Sequence, residues 1–294
     1  MLAWLIVNEY LNTNKFTQHS TWLEQAAREK GITILTMSNS QCLIKLTSNV
    51  ELGKIRPDFV LFWDKDIRLA KYIESFHIPV FNNSEAIANC DDKSLTHIIL
   101  QRSGIPMPKT IIAPMTYPNI GYTNLDFLET VMEELEFPMV VKECFGSFGA
   151  QVHLVITQQD LVQLVKVIGA KPMLFQEFIK ESAGYDVRLQ VVGEEVVASM
   201  YRYSENGDFR ANITNGGKMK IYQPSDEEIR LALESCRLLN LAFGGVDILF
   251  GKDNQPLVCE VNSNAHFKNI YDCTKVNTAQ SIMEYITKVI DQKK

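Results

Sequence analysis

The sequence predicts a mixed α/β protein of more than one domain, in which a small parallel sheet precedes a larger α+β region. Three observations carry this. The first 90 residues alternate apolar strands with amphipathic helices, the rhythm of parallel βαβ units. Beyond them, strands come in pairs joined by short polar turns, the mark of antiparallel hairpins. The chain has 294 residues, 46% apolar and 22% charged, enough for a large core and long for one domain.

Taken in order, Leu2–Val7 is a continuous apolar run and reads as a first buried strand, not a signal peptide, because no basic segment or small-residue cleavage site accompanies it. A helical pattern spans Thr17–Lys30 and stops at Gly31. Ile32–Met37 and Asp58–Trp63 are strands; a helix over Ile67–Phe76 leads to a fourth strand, Ile78–Phe81. No GxGxxG follows the first strand, so a dinucleotide fingerprint is absent. His19 and His77 read as surface or helix-end histidines. A new unit begins at Asp91, where Asp91 or Asp92 caps a helix with an apolar face of Leu95, Ile98 and Ile99, ended by Gly104. Ala113–Tyr122, rich in Pro, Gly and Asn, reads as a hinge. A helix over Leu125–Leu135 precedes the strand Pro138–Lys142.

That strand delivers Lys142 to a glycine-containing loop, Gly146-Ser147-Phe148-Gly149. Glycines let backbone N–H groups approach an anion, and a neighbouring lysine adds charge. The GK[ST] ending of a Walker A loop is missing, and a plain hairpin turn reads the same way. After a helix over Asp160–Ile168 comes the strand Met173–Ile179, with Gln176 and Glu177. Tyr185–Ala198 forms two strands turned at Gly193-Glu194, with Asp186 and Arg188 on one face and Tyr201-Arg202-Tyr203 continuing the second strand. Asp208–Lys220 carries Arg210, Asn212, Lys218 and Lys220 in a chain of net charge −6; it is either a solvated loop or a site for phosphate or carboxylate. Ser225 and Glu228 form a capping box for a helix to Asn240, with Ile229, Ala232, Leu233 and Cys236 inward. A last helix covers Thr278–Ile290.

Between those helices lies Gly244–Asn264. Two strands, Gly245–Phe250 and Pro256–Asn262, flank a polar turn at Gly251–Gln255. Symmetric closure sets Asp247 opposite Glu260, with Asn262 two residues on along the same face. Facing carboxylates repel unless a cation lies between them. A hard divalent cation such as Mg2+ suits these oxygen donors and commonly shares its shell with phosphate, so the hairpin also predicts a nucleotide; the alternative is a solvated hairpin face that happens to carry acids.

The acidic balance and the lack of a basic tract argue against nucleic-acid binding. No apolar run of about 18 residues occurs, which argues against a membrane span. Six cysteines without CxxC or metal-type spacing predict reduced, buried thiols. A cytoplasmic protein is expected.

The ordered series Lys93, Lys142 with its glycine loop, QEF at 176–178, Asp186, FRAN at 209–212, Asp247 and ExN at 260–262 resembles the ATP-grasp superfamily. Within it, QEFIKESAGYDVR, VVGEEVVASMYR, GDFRANITNGG and VDILF…EVN resemble the RimK-type α-L-glutamate ligases, from about Asp91 to Ile286. The resemblance implies an ATP-grasp fold behind a pre-ATP-grasp domain, divided as 1–90, 91–175 (a lid) and 176–294. It implies ATP and Mg2+ (or Mn2+) as cofactors. Lys93 and Lys142 would contact phosphates; Gln176, Glu177 and Phe178 would meet adenine; Asp186 would lie near the ribose; Arg210, Ala211 and Asn212 would complete the ATP pocket. Arg210, Lys142 and Arg202 would be catalytic, and Asp247, Glu260 and Asn262 would hold the metal. The implied reaction joins a carboxylate to an amine through an acyl phosphate, adding glutamate or a similar amino acid to a peptide, protein end or small amine, in a homo-oligomer such as a dimer or tetramer. Alternatives are a ligase of a small-metabolite pathway and a non-catalytic nucleotide-binding protein. One departure stands out: the family follows EVN with a Ser-Pro-Gly-like turn, whereas this chain reads Ser263-Asn264-Ala265-His266-Phe267-Lys268. That places His266 and Lys268 near the reacting centre, either to select a substrate or merely to replace the turn.

Overall fold

The computed structural model describes residues 1–294 except 12, 48–54, 147–148, 212, 214–215 and 293–294. Ser147, Phe148 and Asn212 therefore lie outside the described residues.

The N-terminal strands are β1 (Leu2–Val7), β2 (Thr33–Ser38), β3 (Phe59–Trp63) and β4 (Val80–Phe81), all parallel in the order β2-β1-β3-β4. β3 is buried at every position, as a strand covered on both faces should be. The intervening helices are α1 (Asn14–Glu29), α2 (Ile67–Glu74) and α3 (Ser84–Asp91). His77 follows α2, exposed and in a left-handed conformation. His19 corrects the surface expectation: it is fully buried in α1 among Trp22, Trp63, His266 and Phe267. A helix face that must cover an aromatic cluster tolerates a flat ring with a polar edge.

Next come α4 (Lys93–Arg102), β5 (Thr110–Ile112), α5 (Phe127–Glu134), β6 (Met139–Glu143), β7 (Val152–Val155), α6 (Gln158–Ile168) and β8 (Met173–Glu177). The strands form an antiparallel sheet ordered β5-β8-β6-β7, with Gln176 paired to Thr110 and Val140. Asp92 caps α4 by accepting from Ser94 N. The buried stripe of α4 is Thr96, His97 and Leu100 rather than Leu95 and Ile98, which are 39% and 43% exposed. The reason is tertiary: His97 meets the buried Gln176 of β8.

The third sheet is built from β9 (Tyr185–Val192), β10 (Glu195–Tyr203), β11 (Lys218–Ile221), β12 (Phe243–Phe250) and β13 (Pro256–Asn262), ordered β11-β10-β9-β12-β13. α7 (Asp226–Leu238) covers one face, burying Leu231, Ala232 and Cys236 against Val187, Leu189, Val191, Val246, Ile248 and Val261. Both halves of its Ser225–Glu228 capping box are formed. Alternation then points Asp186, Arg188 and Asp247 to the opposite face. α8 (Lys268–Thr274) and α9 (Thr278–Asp291) finish the chain. α9 packs with Phe243 and Phe267 into one core with Leu5, Phe59 and Leu61 of the N-terminal sheet. Buried Asn82 stitches that seam: its Nδ2 donates to Phe243 O and Ser263 O, both at 2.9 Å, and its Oδ1 accepts from Ala242 N at 2.7 Å. All six cysteines are free, and among the described residues no helix is long and apolar enough to cross a membrane.

Candidate active site

A cleft of about 600 Å³ opens where the three sheets meet. Every described residue of the predicted site lines it: Lys93, Lys142, Gln176, Glu177, Phe178, Asp186, Arg202, Arg210, Ala211, Asp247, Glu260 and Asn262.

The floor is the inner face of the third sheet, and its register is set by two bulges. The Gly251–Gln255 turn closes Phe250 on Pro256. An unbroken register from there would oppose Asp247 to Cys259. A bulge between Ile248 and Asp247 absorbs one residue of β13, so Asp247 does face Glu260, and Gly245 faces Asn262. The extra residue turns Cys259 and Glu260 both toward the cleft, which ordinary alternation forbids. A second irregularity between Val196 and Ala198 of β10 sets Arg202 opposite Asp186.

The cation beside Asp247 is supplied by the protein. Arg188 Nε and Nη2 donate to its two carboxylate oxygens at 2.6 Å each, and Arg202 Nη2 lies 3.0 Å from Oδ2. Arg202 also grips Asp186 through Nε and Nη2, again at 2.6 Å each. Two guanidiniums and two carboxylates thus form a neutral buried row. Burial alone would raise Asp247, but Arg188 and Arg202 outweigh it and hold the carboxyl below its usual range. Burial pushes Asp186 up against the pull of Arg202.

The cationic wall comes from α4, from β6 and from the segment between β10 and β11. Lys93, first in α4, lies 3.6 Å from Glu260 Oε1 and donates to Gly146 O at 3.2 Å. Lys142 on β6 is buried and donates to Cys259 Sγ at 3.5 Å. Burial pushes the Cys259 thiol up despite Lys142, so it stays neutral. Arg210 Nη1 donates to Gly149 O at 2.8 Å, and its Nε and Nη2 donate to Asp208, leaving two of the five guanidinium N–H donors for a ligand. Of the predicted basic stretch, Arg210 reaches the cleft. Lys218 instead pairs with Glu205 at 2.6 Å, and Lys220 sits 4.6 Å over the Tyr201 ring. Gln176 Nε2 donates to Thr110 Oγ1 at 2.9 Å and lies 3.4 Å from His97 Nε2. Burial, then Lys142 and Lys93, lower His97 to about 3, leaving a neutral ring that can accept from Gln176.

As a divalent-cation site the donor set fits unevenly. Glu260 keeps oxygens open beyond its contact with Lys93, and Asn262 lines the cleft, where its amide oxygen is the atom that can ligate; its buried Nδ2, unpartnered among the described residues, would need an acceptor such as a phosphate oxygen. Both Asp247 oxygens already accept guanidinium donors, though a carboxylate has about four acceptor sites. Among the described residues no cluster of three or more His, Cys, Asp or Glu is placed to hold a metal. Two carboxylates and an amide are what a cation completing its shell with phosphate oxygens requires.

Sequence reasoning missed Asn8, Trp63, Asp64, Lys65 and Gln151, which also line the cleft; no local motif marks them. The departing loop divides: His266 lines the cleft, 4.9 Å from the Phe16 ring and 4.5 Å from the His19 ring. Lys268 turns away to pair with Asp272 at 2.5 Å.

Comparisons with known proteins agree with this geometry. Residues 90–286 match the RimK-like ATP-grasp domain. The chain is 31% identical over 295 residues to the "Probable alpha-L-glutamate ligase 2" of Hahella chejuensis, covering 95% of this chain and 94% of that one. It is 32% identical over 228 residues to the human "Beta-citrylglutamate synthase B", covering 77% of this chain and 58% of the relative. Its fold matches a RimK domain ATP-grasp protein from Sphaerobacter thermophilus with a TM-score of 0.74 at 19% identity, covering 97% and 99% of the two chains. The chain belongs to the RimK-like ATP-grasp family, whose members are ATP-dependent carboxylate–amine ligases.

Proposed function

We propose that this ligase joins a carboxylate substrate to the amino group of an amino acid of the glutamate type, using ATP and Mg2+ in the cytoplasm. The observation that supports it best is the convergence in one cleft of Lys93 from α4 and Lys142 from β6 with Arg210, Glu260 and Asn262 from the C-terminal part of the chain. When bound, ATP would supply the γ-phosphoryl group that turns the carboxylate into an acyl phosphate with release of ADP, Mg2+ would neutralise phosphate charge, and the amine would then displace phosphate to form the amide. Lys93, Lys142 and Arg210 bind phosphoryl oxygens as charge moves between them. Gln176, Glu177 and Phe178 meet adenine, with Phe178 braced edge-on by Phe209 at 6.2 Å. Ala211 belongs to the same pocket, and Asn212 is assigned to it from the sequence pattern.

Glu260 and Asn262 are the main metal ligands, with Asp247 contributing what its two arginines leave free. Arg202 and Asp186, locked to each other, position Asp247 rather than reach the reacting atoms. The hydrogen bond from Arg210 fixes Gly149 over the cleft and helps exclude water, which would hydrolyse an acyl phosphate. The lid is the unit of residues 91–175 that carries the β5-β8-β6-β7 sheet; Ala113–Tyr122, expected as a hinge, follows β5 within that sheet.

The names of the relatives favour glutamate as the amine: a citrylglutamate carries its acyl group on the glutamate nitrogen. The test is ADP release with Mg2+ across amino acids and carboxylic acids, supplied alone and in pairs with short peptides. Turnover that needs one carboxylate and one amine supports the proposal. Nucleotide binding without turnover in any pair would refute it and favour the non-catalytic alternative.

A further inference from the structure

Asp64 is a charged part of the cleft that the catalytic reading does not use. It follows β3 directly, is 6% exposed and lines the cavity. Its Oδ1 accepts from Asn8 Nδ2 at 3.1 Å and from Lys65 N at 2.7 Å; its Oδ2 accepts from Asn8 Nδ2 at 3.2 Å. All these donors are neutral. The adjacent cation, Lys65, pairs instead with Asp91 at 2.5 Å, and among the described residues no ion pair reaches Asp64. Burial pushes its carboxyl above the usual range, so a cation arriving there would be strongly favoured. With these donors placed, Oδ2 retains an open acceptor position.

The surroundings say which cation. Trp63 and Phe16 line the same cavity, and a single carboxylate among apolar rings and neutral donors suits an ammonium. A divalent metal would ask for several oxygen ligands instead. The departing loop closes the compartment: Asn264 Nδ2 donates to Asp64 O at 3.3 Å, and His266 stands against Phe16. Ser263 Oγ, on a residue 2% exposed, and Asn264 Oδ1 are buried without hydrogen-bond partners among the described residues. A polar ligand in the cleft would satisfy them.

We propose that Asn8, Phe16, Trp63, Asp64, Asn264 and His266 form the subsite of the amine substrate, with the Asp64 carboxylate holding its ammonium group. This rests on the ligase reading above and adds where the amino acid sits and which residue selects it. Asp64 is a binding residue here, and the loop after Asn262 supplies the neutral hydrogen bonds around it.

The test is a thermal-shift and calorimetric titration of the full chain with Mg2+ and a non-hydrolysable ATP analogue, adding each of the twenty L-amino acids. At least one, L-glutamate first among them, should raise the midpoint beyond nucleotide alone, and its N-acetyl derivative should not. Asp64→Asn should weaken that amino acid on the order of ten- to a hundredfold, as loss of a charge-assisted contact does, while the nucleotide shift persists. Asp64→Glu should restore part of the affinity. Equal binding of the N-acetyl form to the unmodified protein, full affinity in Asp64→Asn, or no response to any amino acid would overturn the subsite while leaving the nucleotide reading standing. No response of the unmodified protein to Mg2+ and nucleotide would overturn the ligase reading and the subsite with it.

Discussion

Replacing Arg202 by methionine should destabilise the protein by about 3–5 kcal/mol, the range for removing one partner of a buried ion pair. The size follows from what is stranded. Arg202 is 4% exposed and makes both guanidinium bonds that Asp186 receives, plus the 3.0 Å contact to Asp247. Asp247 keeps Arg188, but Asp186 would stay buried with no cation of its own. Against a typical stability of about 5–15 kcal/mol, this is a large fraction. Urea denaturation of Arg202→Met, Asp186→Asn and the double variant forms a cycle that isolates the pair. The double variant should recover about 1–3 kcal/mol relative to the sum of the singles, because the uncompensated charge is gone. A loss below about 1 kcal/mol in Arg202→Met, or strictly additive singles, would refute the assignment of Arg202 to positioning Asp247 and return it to the reacting centre.

Other outcomes follow from the same geometry. Glu260→Ala should abolish metal-dependent ATP turnover yet shift stability by less than about 1 kcal/mol, since its contact with Lys93 is a partly exposed pair; full activity in that variant would sink the metal assignment. His97 binds no proton in the fold until about pH 3, whereas the unfolded chain takes one near 6.5. Stability should therefore fall as pH drops through that window, by up to about 1.4 kcal/mol per unit. His97→Gln should flatten that part of a urea-midpoint profile, and identical slopes in both proteins would contradict it. Gly193 sits at φ +59, where a Cβ would lie only 2.5 Å from the Tyr285 ring, so Gly193→Ala should cost about 1–3 kcal/mol by thermal melting; an unchanged melting midpoint would show that the ring moves aside freely.

How far the sequence can be read depends on the range of the interactions. Strands such as Leu2–Val7 and the Ser225 capping box are local, and periodicity or spacing states them. The face-to-face placement of Asp247 and Glu260 is also legible, but the bulge that produces it is not. A bulge at Cys259 is one extra residue in an otherwise regular pattern, and nothing in PLVCEVN marks it. The irregularity near Val197 is equally silent, yet it decides whether Asp186 faces Tyr201 or Arg202. That Asp247 shares its oxygens with Arg188 and Arg202 is not legible, because those cations belong to other strands. Helical periodicity buries Leu95 and Ile98 because propensity cannot know that Gln176 awaits His97. A surface position for His19 fails because the aromatic cluster around it is assembled from positions 22, 63, 266 and 267. Asp64 carries no motif at all, and its meaning comes from where the folded chain sends the neighbouring lysine.

Asn82 has a consequence for modularity. The recognisable family segment spans 90–286, which invites its use as a portable unit, grafted behind other N-terminal domains to change substrate. Cutting there would leave Ala242 N, Phe243 O and Ser263 O without the single amide that serves all three. It would also bare Phe243, Phe267, Ile282 and Met283, which share their core with Leu5, Phe59 and Leu61. The N-terminal sheet thus shares one buried core with the family segment, and exchanging it would unseat the packing behind β12 and α9.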